Sequence, residues 1–156
     1  MSVERYMRRA LALAQEGMET GRGGPFGAVV VWEERIVGEG TNRVTSTHDP
    51  TAHAEVVAIR AACAGLGRFE LRGAEIYTSC EPCPMCLSAI YWARLDRIWY
   101  GNDRTDAARI GFDDALIYRE VALPPDARRL PMARLLADEA RAAFAAWERK
   151  PDKVRY

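Results

Sequence analysis

The chain has 156 residues, the usual length of one domain. Hydrophobic residues make up 49% of it and charged residues 28%, which excludes wholesale disorder. Lys and Arg total 22, as do Asp and Glu, and the resulting net charge of zero disfavours a protein that binds nucleic acid through its phosphates.

A helix and a hairpin are predicted first along the chain. Helical spacing of small and apolar residues predicts an amphipathic helix through Val3, Tyr6, Ala10, Leu13 and Gly17. A glycine-rich segment ending at Pro25 cannot continue that helix. The valine-rich run 26–32 and the short run 36–38 then predict two strands of a hairpin.

Helices and strands alternate through the middle of the chain. Asp49 followed by Pro50 is typical of a helix start, so we expect a helix from Pro50 to about Ala64. Strands are predicted at 74–78 and 97–100, and between them a helix that starts near Pro82 or Pro84 and reaches Ala93. This alternation predicts an α/β sandwich, with parallel pairing of the later strands.

The last third of the chain is predicted to be helical. Short helical or irregular pieces are expected over 103–118, and a long helix over 132–150. No segment has the composition of a linker, so we expect a single domain, 1–156, with 131–156 as its C-terminal helix and tail. No apolar stretch approaches the ~20 residues of a membrane span. Four cysteines without a signal peptide indicate a reducing, cytoplasmic compartment.

Metal-binding residue types concentrate in two short segments. His53 stands in the first, and Cys83 and Cys86 are three apart in the second, near a predicted helix N-terminus that favours thiolates. One imidazole and two thiolates suit a single Zn²⁺, and three protein ligands leave a fourth tetrahedral position for water. Glu55 could move the protons of that water, whose pKa zinc lowers to about 7.

Alternative arrangements of the same residues remain open. Cys80 lies three residues before Cys83, and as a fourth ligand it would close the site into a structural zinc site. A packed, metal-free cysteine pair is a further alternative. Cys63 is expected in the core, and His48 in a solvated or structural loop position.

The segments His53-Ala54-Glu55 and Pro82-Cys83-Pro84-Met85-Cys86 resemble the signature of the cytidine-deaminase-like superfamily of zinc hydrolases. Further segments, among them Gly23-Gly24-Pro25-Phe26-Gly27-Ala28 and Gly111-Phe112-Asp113-Asp114, are similar to the guanine deaminases of bacteria over essentially the whole chain. The resemblance implies a three-layer α/β/α sandwich around one mixed five-stranded sheet. It also implies zinc-dependent hydrolysis of guanine to xanthine and ammonia.

The resemblance further implies roles for individual residues. His53, Cys83 and Cys86 would hold zinc, Glu55 would shuttle protons, and Asp114 would bind the base or act as a second proton carrier. The other predicted substrate-binding positions are Phe26, Asn42, Ala54, Trp92 and Tyr156. Trp92 could instead pack in the core or line a subunit interface. From the residues alone, Asp114 could equally be a helix cap, Asn42 a turn residue and Phe26 a core residue.

The resemblance also implies a homodimer, in which the C-terminal segment helps close a pocket and can be exchanged between subunits. Other functions stay open at this point. A tRNA adenosine deaminase shares the motif, as do deaminases of cytosine, triazines or pterins. A non-catalytic zinc module would need no proton carrier at Glu55.

Overall fold

The computed structural model describes residues 2–156, which form a first unit ending at Asp114 and a second unit, Ala115–Tyr156. The elements of the first unit are α1 (Ser2–Glu19), β1 (Gly27–Trp32), β2 (Arg35–Thr41), α2 (Val44–Thr47), α3 (Ala54–Leu66), β3 (Ala74–Cys80), α4 (Pro84–Trp92), β4 (Arg97–Asn102) and α5 (Arg104–Arg109). The second unit contains α6 (Ala115–Ala122), a 3₁₀ turn (Pro125–Ala127) and α7 (Ala137–Arg149). None of the helices described is both long enough and apolar enough to cross a membrane.

The four strands form one mixed sheet in the order β2-β1-β3-β4. β1 pairs antiparallel with β2 and β3, whereas β3 and β4 run parallel. The predicted hairpin is confirmed, and its two-residue turn places Glu33 and Glu34 at φ values of 48° and 60°. The predicted parallel pairing of the later strands is also confirmed, because α4 supplies the long connection that parallel neighbours need.

Helices cover both faces of the sheet because the residues of β1 alternate between them. Ala28 and Val30 face the side on which α3 and α4 pack, in a core that includes Ala54, Ala58, Ala62 and Ile90. Val29 and Val31 face α1. They pack there in a second core with Tyr77 of β3 and with three residues of α1, namely Tyr6, Ala10 and Leu13. The sheet therefore lies between two helical layers.

The sheet has four strands, so the five-stranded sheet implied by the family resemblance is wrong. Directly after β4, the Asp103 carboxylate accepts the backbone N–H of Asp106 at 2.9 Å, and Asp106 accepts that of Asp103 at 3.1 Å. This reciprocal cap starts α5 where a further strand would have to begin. From α5 to residue 156, the described chain contains helices and irregular segments and no strand.

α3 begins at Ala54 and not at Pro50. The Asp49 carboxylate accepts hydrogen bonds from the backbone N–H of Thr51 at 2.8 Å and from its hydroxyl at 2.7 Å. Asp49 therefore caps a local turn, a conformation that competes with helix for short polar side chains. The predicted long C-terminal helix is likewise shorter, since α7 starts at Ala137.

Thr41, at the end of β2, supports a prediction about stability. Its side chain is buried, and its hydroxyl has no hydrogen-bond partner among the described residues. A buried polar group without a partner costs about 1–3 kcal/mol. We therefore expect Thr41→Val to raise the free energy of unfolding by about 1 kcal/mol and the Tm by about 2–4 °C, measured by thermal unfolding at fixed zinc content.

Thr78 is the matched control for that substitution. It is equally buried, but its hydroxyl donates to the Cys80 carbonyl at 2.9 Å. Thr78→Val should therefore lower the Tm. If both variants shift the Tm in the same direction, hydrogen bonding does not distinguish the two sites.

Candidate metal centre and active site

The three predicted metal ligands stand at the N-terminal ends of α3 and α4. His53 is the residue before the first turn of α3, and Cys83 holds the same position before α4. Both have extended backbones, and Cys86 lies in the first turn of α4, fully buried. His53 thus lies outside the helix in which the sequence analysis placed it, which is why it can turn toward the same point as Glu55, two residues later.

The spacing of these donor atoms fits a tetrahedral zinc ion. The His53 Nδ1 atom lies 3.6 Å from the Cys83 sulfur and 3.5 Å from the Cys86 sulfur. Ligands on Zn²⁺ at about 2.3 Å for sulfur and 2.0–2.1 Å for nitrogen, at tetrahedral angles, stand about 3.5–3.6 Å apart. In the described part of the chain, these residues form the one group of three His, Cys or acidic side chains with donor atoms within 4.8 Å of one another.

The two sulfurs already hold one negative charge between them. A hydrogen bond from the Cys86 thiol lowers the pKa of Cys83 to about 4. The same bond, together with burial, raises the pKa of Cys86. Cys83 is thus a thiolate at neutral pH, and its hydrogen bond raises the pKa of His53. Because metal ligands must be deprotonated, zinc takes the place of the shared protons when it binds.

Glu55 is a buried carboxyl group directly beside the donor atoms. Its Oε2 atom lies 3.4 Å from the Cys86 sulfur. Burial raises the pKa of Glu55, although a hydrogen bond from its own backbone N–H opposes that shift. A carboxyl group with a raised pKa keeps a proton more readily than an exposed one, which suits a residue that carries protons in general acid–base catalysis.

Cys80 does not join the three donors, which disfavours the closed, structural zinc site. Its sulfur lies 3.8 Å from the Asp103 carbonyl. Burial raises the pKa of Cys80 to about 11, so the thiol stays protonated at neutral pH. Two further residues were predicted to have no part in the metal site. Cys63 packs against the core as expected, and His48 lies exposed just after α2.

A cavity of about 370 Å³ opens directly beside the donor group, entirely within the first unit. Its volume lies in the range of small-molecule sites. It is lined by Gly24, Phe26, Asn42, Val44, Thr45, Pro50, His53, Glu55, Cys80, Glu81, Cys83, Arg104, Ala107, Phe112 and Asp114. Four of the predicted catalytic and substrate-binding residues, namely Glu55, Phe26, Asn42 and Asp114, are thus brought to one cavity.

Asn42 lies buried in the cavity wall with its amide orientation fixed. Its Oδ1 atom accepts backbone N–H groups from Gly24 at 3.3 Å and from Val44 at 3.2 Å. A Cβ atom at Gly23 would come within 2.4 Å of the same oxygen, so glycine is required there. With the oxygen engaged by the backbone, the Nδ2 group is what Asn42 can offer to a ligand, as a hydrogen-bond donor. Asn42 is thus also a turn residue, the alternative considered from the sequence.

Phe26 forms one aromatic wall of the cavity. Its ring meets the Phe112 ring edge to face, with centroids 4.9 Å apart. Phe26 also packs against the core, the alternative that the sequence left open, and its role in substrate binding stays a prediction. Asp114 is a half-buried residue of the same lining, and burial raises its pKa.

Three predicted substrate-binding residues do not line this cavity. Ala54 is fully buried as the first residue of α3, and its side chain belongs to the core. Trp92 ends α4 with 62% of its surface exposed. Tyr156 lies at the end of the second unit and is exposed. Their roles remain predictions.

Several cavity residues were not identified from the sequence, chiefly Glu81, Arg104 and Phe112. Phe112 belongs to a segment on which the family resemblance rests, so it could have been nominated. Glu81 directly precedes the second motif, between Cys80 and Pro82, and its residue type alone does not indicate a role there. Arg104 lies in an arginine-rich segment whose position depends on tertiary contacts.

Comparison with known proteins shows similarity over the whole chain. Residues 1–102 match the cytidine and deoxycytidylate deaminase zinc-binding region. Guanine deaminase of Bacillus subtilis (strain 168) is 49% identical over 156 residues, 100% of both chains. An X-ray structure of guanine deaminase from Bacillus subtilis superposes with a TM-score of 0.95 at 50% identity, over 98% of each chain. A tRNA-specific adenosine deaminase of Buchnera aphidicola is 36% identical over 107 residues, 69% of this chain and 70% of that protein.

Zinc analysis of two cysteine variants tests the assignment of the ligands. Cys83→Ser removes one of the three grouped donors, so the purified variant should lose most of its zinc. Cys80→Ser is the matched control, and it should keep about one zinc per chain because three ligands suffice for a catalytic site. Loss of zinc from Cys80→Ser, measured by elemental analysis, would instead support the closed four-ligand site.

Proposed function

The chain belongs to the cytidine and deoxycytidylate deaminase family of zinc-dependent enzymes, and from that premise we propose that it hydrolyses guanine to xanthine and ammonia. The protein is a zinc-dependent hydrolase that holds one Zn²⁺ per chain. The observation that carries the proposal is the buried Glu55 carboxyl group beside His53, Cys83 and Cys86, at the wall of a cavity large enough for a purine.

Glu55 is the proton carrier in this proposal. Zinc, when bound, lowers the pKa of a coordinated water, so that a nucleophile is available at neutral pH. Glu55 takes a proton from the attacking water as the new C–O bond forms at guanine C2. It delivers that proton to a ring nitrogen. It then takes the second proton from the new C2 hydroxyl group and passes it to the amine, so that the C2=O bond forms, the C2–N bond breaks and ammonia leaves. The burial that raises the pKa of Glu55 suits it to both transfers.

The polar groups of the cavity favour guanine over adenine. Guanine presents N–H donors at N1 and at its 2-amino group, and the carboxylate of Asp114 in the lining can accept them. Asn42 supplies a donor for the acceptor atoms of the base, because its oxygen is engaged by the backbone. The Phe26 ring offers an apolar surface against which a planar base can stack.

The second candidate is deamination of adenosine in tRNA, because a tRNA-specific relative aligns with part of this chain. A folded RNA carries many phosphates, whereas this chain has a net charge of zero. Cytosine, triazines and pterins would use the same chemistry and differ only in the cavity contacts. The same assay separates these possibilities.

We also propose that the protein is a cytoplasmic homodimer. The C-terminal segment helps close a pocket, and where the segments are exchanged between subunits, this is the pocket of the partner subunit. In its support, α7 has no buried residue and exposes Phe144 and Trp147 on one side. α4 likewise exposes Tyr91 and Trp92. Exposed apolar side chains of this kind are typical of protein interaction surfaces. The cytoplasm is proposed because a site built on two reduced cysteines suits a reducing compartment.

Ammonia release from a panel of bases tests the proposed substrate. We expect the zinc-loaded protein to act on guanine at least about tenfold faster than on adenine, cytosine or a triazine, because these bases lack the hydrogen-bond donors of guanine and a matched set of hydrogen bonds changes the rate by about one order of magnitude or more. Guanosine presents the same donors as guanine, so its rate in the panel reports whether the cavity admits a ribose. The rate on guanine should change little with salt, whereas activity on tRNA would fall steeply.

Glu55→Gln is the control for that panel. The variant keeps all three ligands and should retain zinc, while its rate falls by about 10²–10⁴-fold because the proton carrier is gone. Preference for another base would overturn the assignment to guanine. Undiminished activity of the Glu55→Gln variant would overturn the mechanism.

Deletion of residues 151–156 tests the role of the C-terminal tail. If the tail closes the pocket, the truncated protein should lose most of its turnover while zinc stays near one per chain, because the ligands lie in the first unit. Steady-state kinetics together with elemental analysis measure both effects. Unchanged turnover would contradict this role for Tyr156.

A further inference from the structure

Three hydrogen bonds join the end of β3 to the segment that begins α5. The Glu81 backbone N–H donates to the Asn102 carbonyl at 2.8 Å. The Glu81 Oε2 atom accepts the backbone N–H of Arg104 at 3.0 Å, and the Cys80 sulfur lies 3.8 Å from the Asp103 carbonyl. We call this set of contacts the Glu81 clamp. It connects the segment that leads into the zinc ligands with one wall of the cavity.

α5 depends on such contacts because it is short. The helix has six residues, and isolated helices below about 12 residues are marginal in water. Its first N–H groups have no partner within the helix, so they need acceptors from elsewhere. The reciprocal cap of Asp103 and Asp106 serves two of them. The carboxylate of Glu81 serves a third, that of Arg104, from a different part of the chain.

The residues that follow the Glu81 clamp in the sequence line the cavity. Arg104 and Ala107 of α5 line the cavity, and so do Phe112 and Asp114 just beyond it. Gly111 connects the two pairs with φ of +97°, a backbone conformation that suits glycine. Phe112 in turn contacts Phe26, another residue of the cavity lining. The pairing of Cys80 with Asn102 and the contact of Glu81 with Arg104 together fix the position of these residues relative to the metal ligands.

We propose that Glu81 is a positioning residue, which sets the distance between the metal centre and the wall that holds the base. This inference rests on the proposed function, because the base is taken to be guanine. The Glu81 carboxylate acts here as a hydrogen-bond acceptor and not as a proton carrier. An amide oxygen at the same position would serve the same purpose, which distinguishes positioning from a direct role of the charge.

Kinetics of two Glu81 variants test the proposal. In Glu81→Ala, the KM for guanine should rise about tenfold or more, as expected from loss of a hydrogen bond to a charged acceptor. kcat should change by less than about threefold, because α3 and α4 hold Glu55 and the metal ligands, and only contacts to the bound base are weakened. Glu81→Gln should restore the KM to within about threefold of the parent value, and both variants should keep one zinc per chain.

Amide hydrogen exchange of the zinc-loaded protein tests the same contact without substrate. Exchange at the Arg104 amide should accelerate about tenfold or more in Glu81→Ala and stay near the parent rate in Glu81→Gln. Glu39→Ala is the matched control. It removes a carboxylate of the first unit that binds Arg9 through two hydrogen bonds of 2.7 and 2.8 Å, and it should affect neither Arg104 exchange nor the KM.

Two outcomes would overturn the proposal. One is an unchanged KM and unchanged Arg104 exchange in Glu81→Ala. The other is Glu81→Gln with a KM as impaired as that of Glu81→Ala, which would assign the effect to the charge of Glu81. A parent enzyme inactive on guanine would overturn the proposed function alone, because the exchange measurement decides the clamp independently of any substrate.

Discussion

The convergence of two helix N-termini on one point is the constraint on which the rest of the site depends. α3 reaches that point because its backbone lies directly on β2, where a Cβ atom at Gly40 would come within 2.1 Å of the Ala54 carbonyl oxygen. Gly38 permits the same approach one turn later, with a corresponding distance of 2.3 Å to the Ala58 carbonyl oxygen. Any larger residue at either position would displace α3, and with it His53 and Glu55.

The electrostatics of the site follow from that convergence. The N-terminal end of α4 carries a partial positive charge that favours a thiolate at Cys83. The remaining protons of the site are held by His53 and Cys86, next to the Cys83 thiolate. Zinc displaces these protons when it binds. Glu55 is buried against the same group and keeps its proton more readily than an exposed carboxyl group. One set of close contacts thus provides both the ligands and the proton carrier.

The metal ligands and the proton carrier could be predicted from the sequence more accurately than the bounds of the helices and the strands around them. Each ligand lies in a short motif, His53 in one and Cys83 and Cys86 three apart in another, so their positions could be predicted from residue types and spacing within each motif. The start of α3 was predicted four residues early, because the Asp49 side chain stabilises a turn that competes with the helix. The absent fifth strand and the role of Glu81 depend on contacts between segments that are far apart in the sequence, and no local pattern records them.

The central claim is that one imidazole and two sulfurs hold zinc and leave one position open. X-ray absorption at the zinc edge on the zinc-loaded, full-length protein tests it most directly. The account predicts two sulfur ligands at about 2.3 Å and two nitrogen or oxygen ligands at about 2.0–2.1 Å. Three sulfur ligands would contradict it, because Cys80 would then occupy the position that hydrolysis requires.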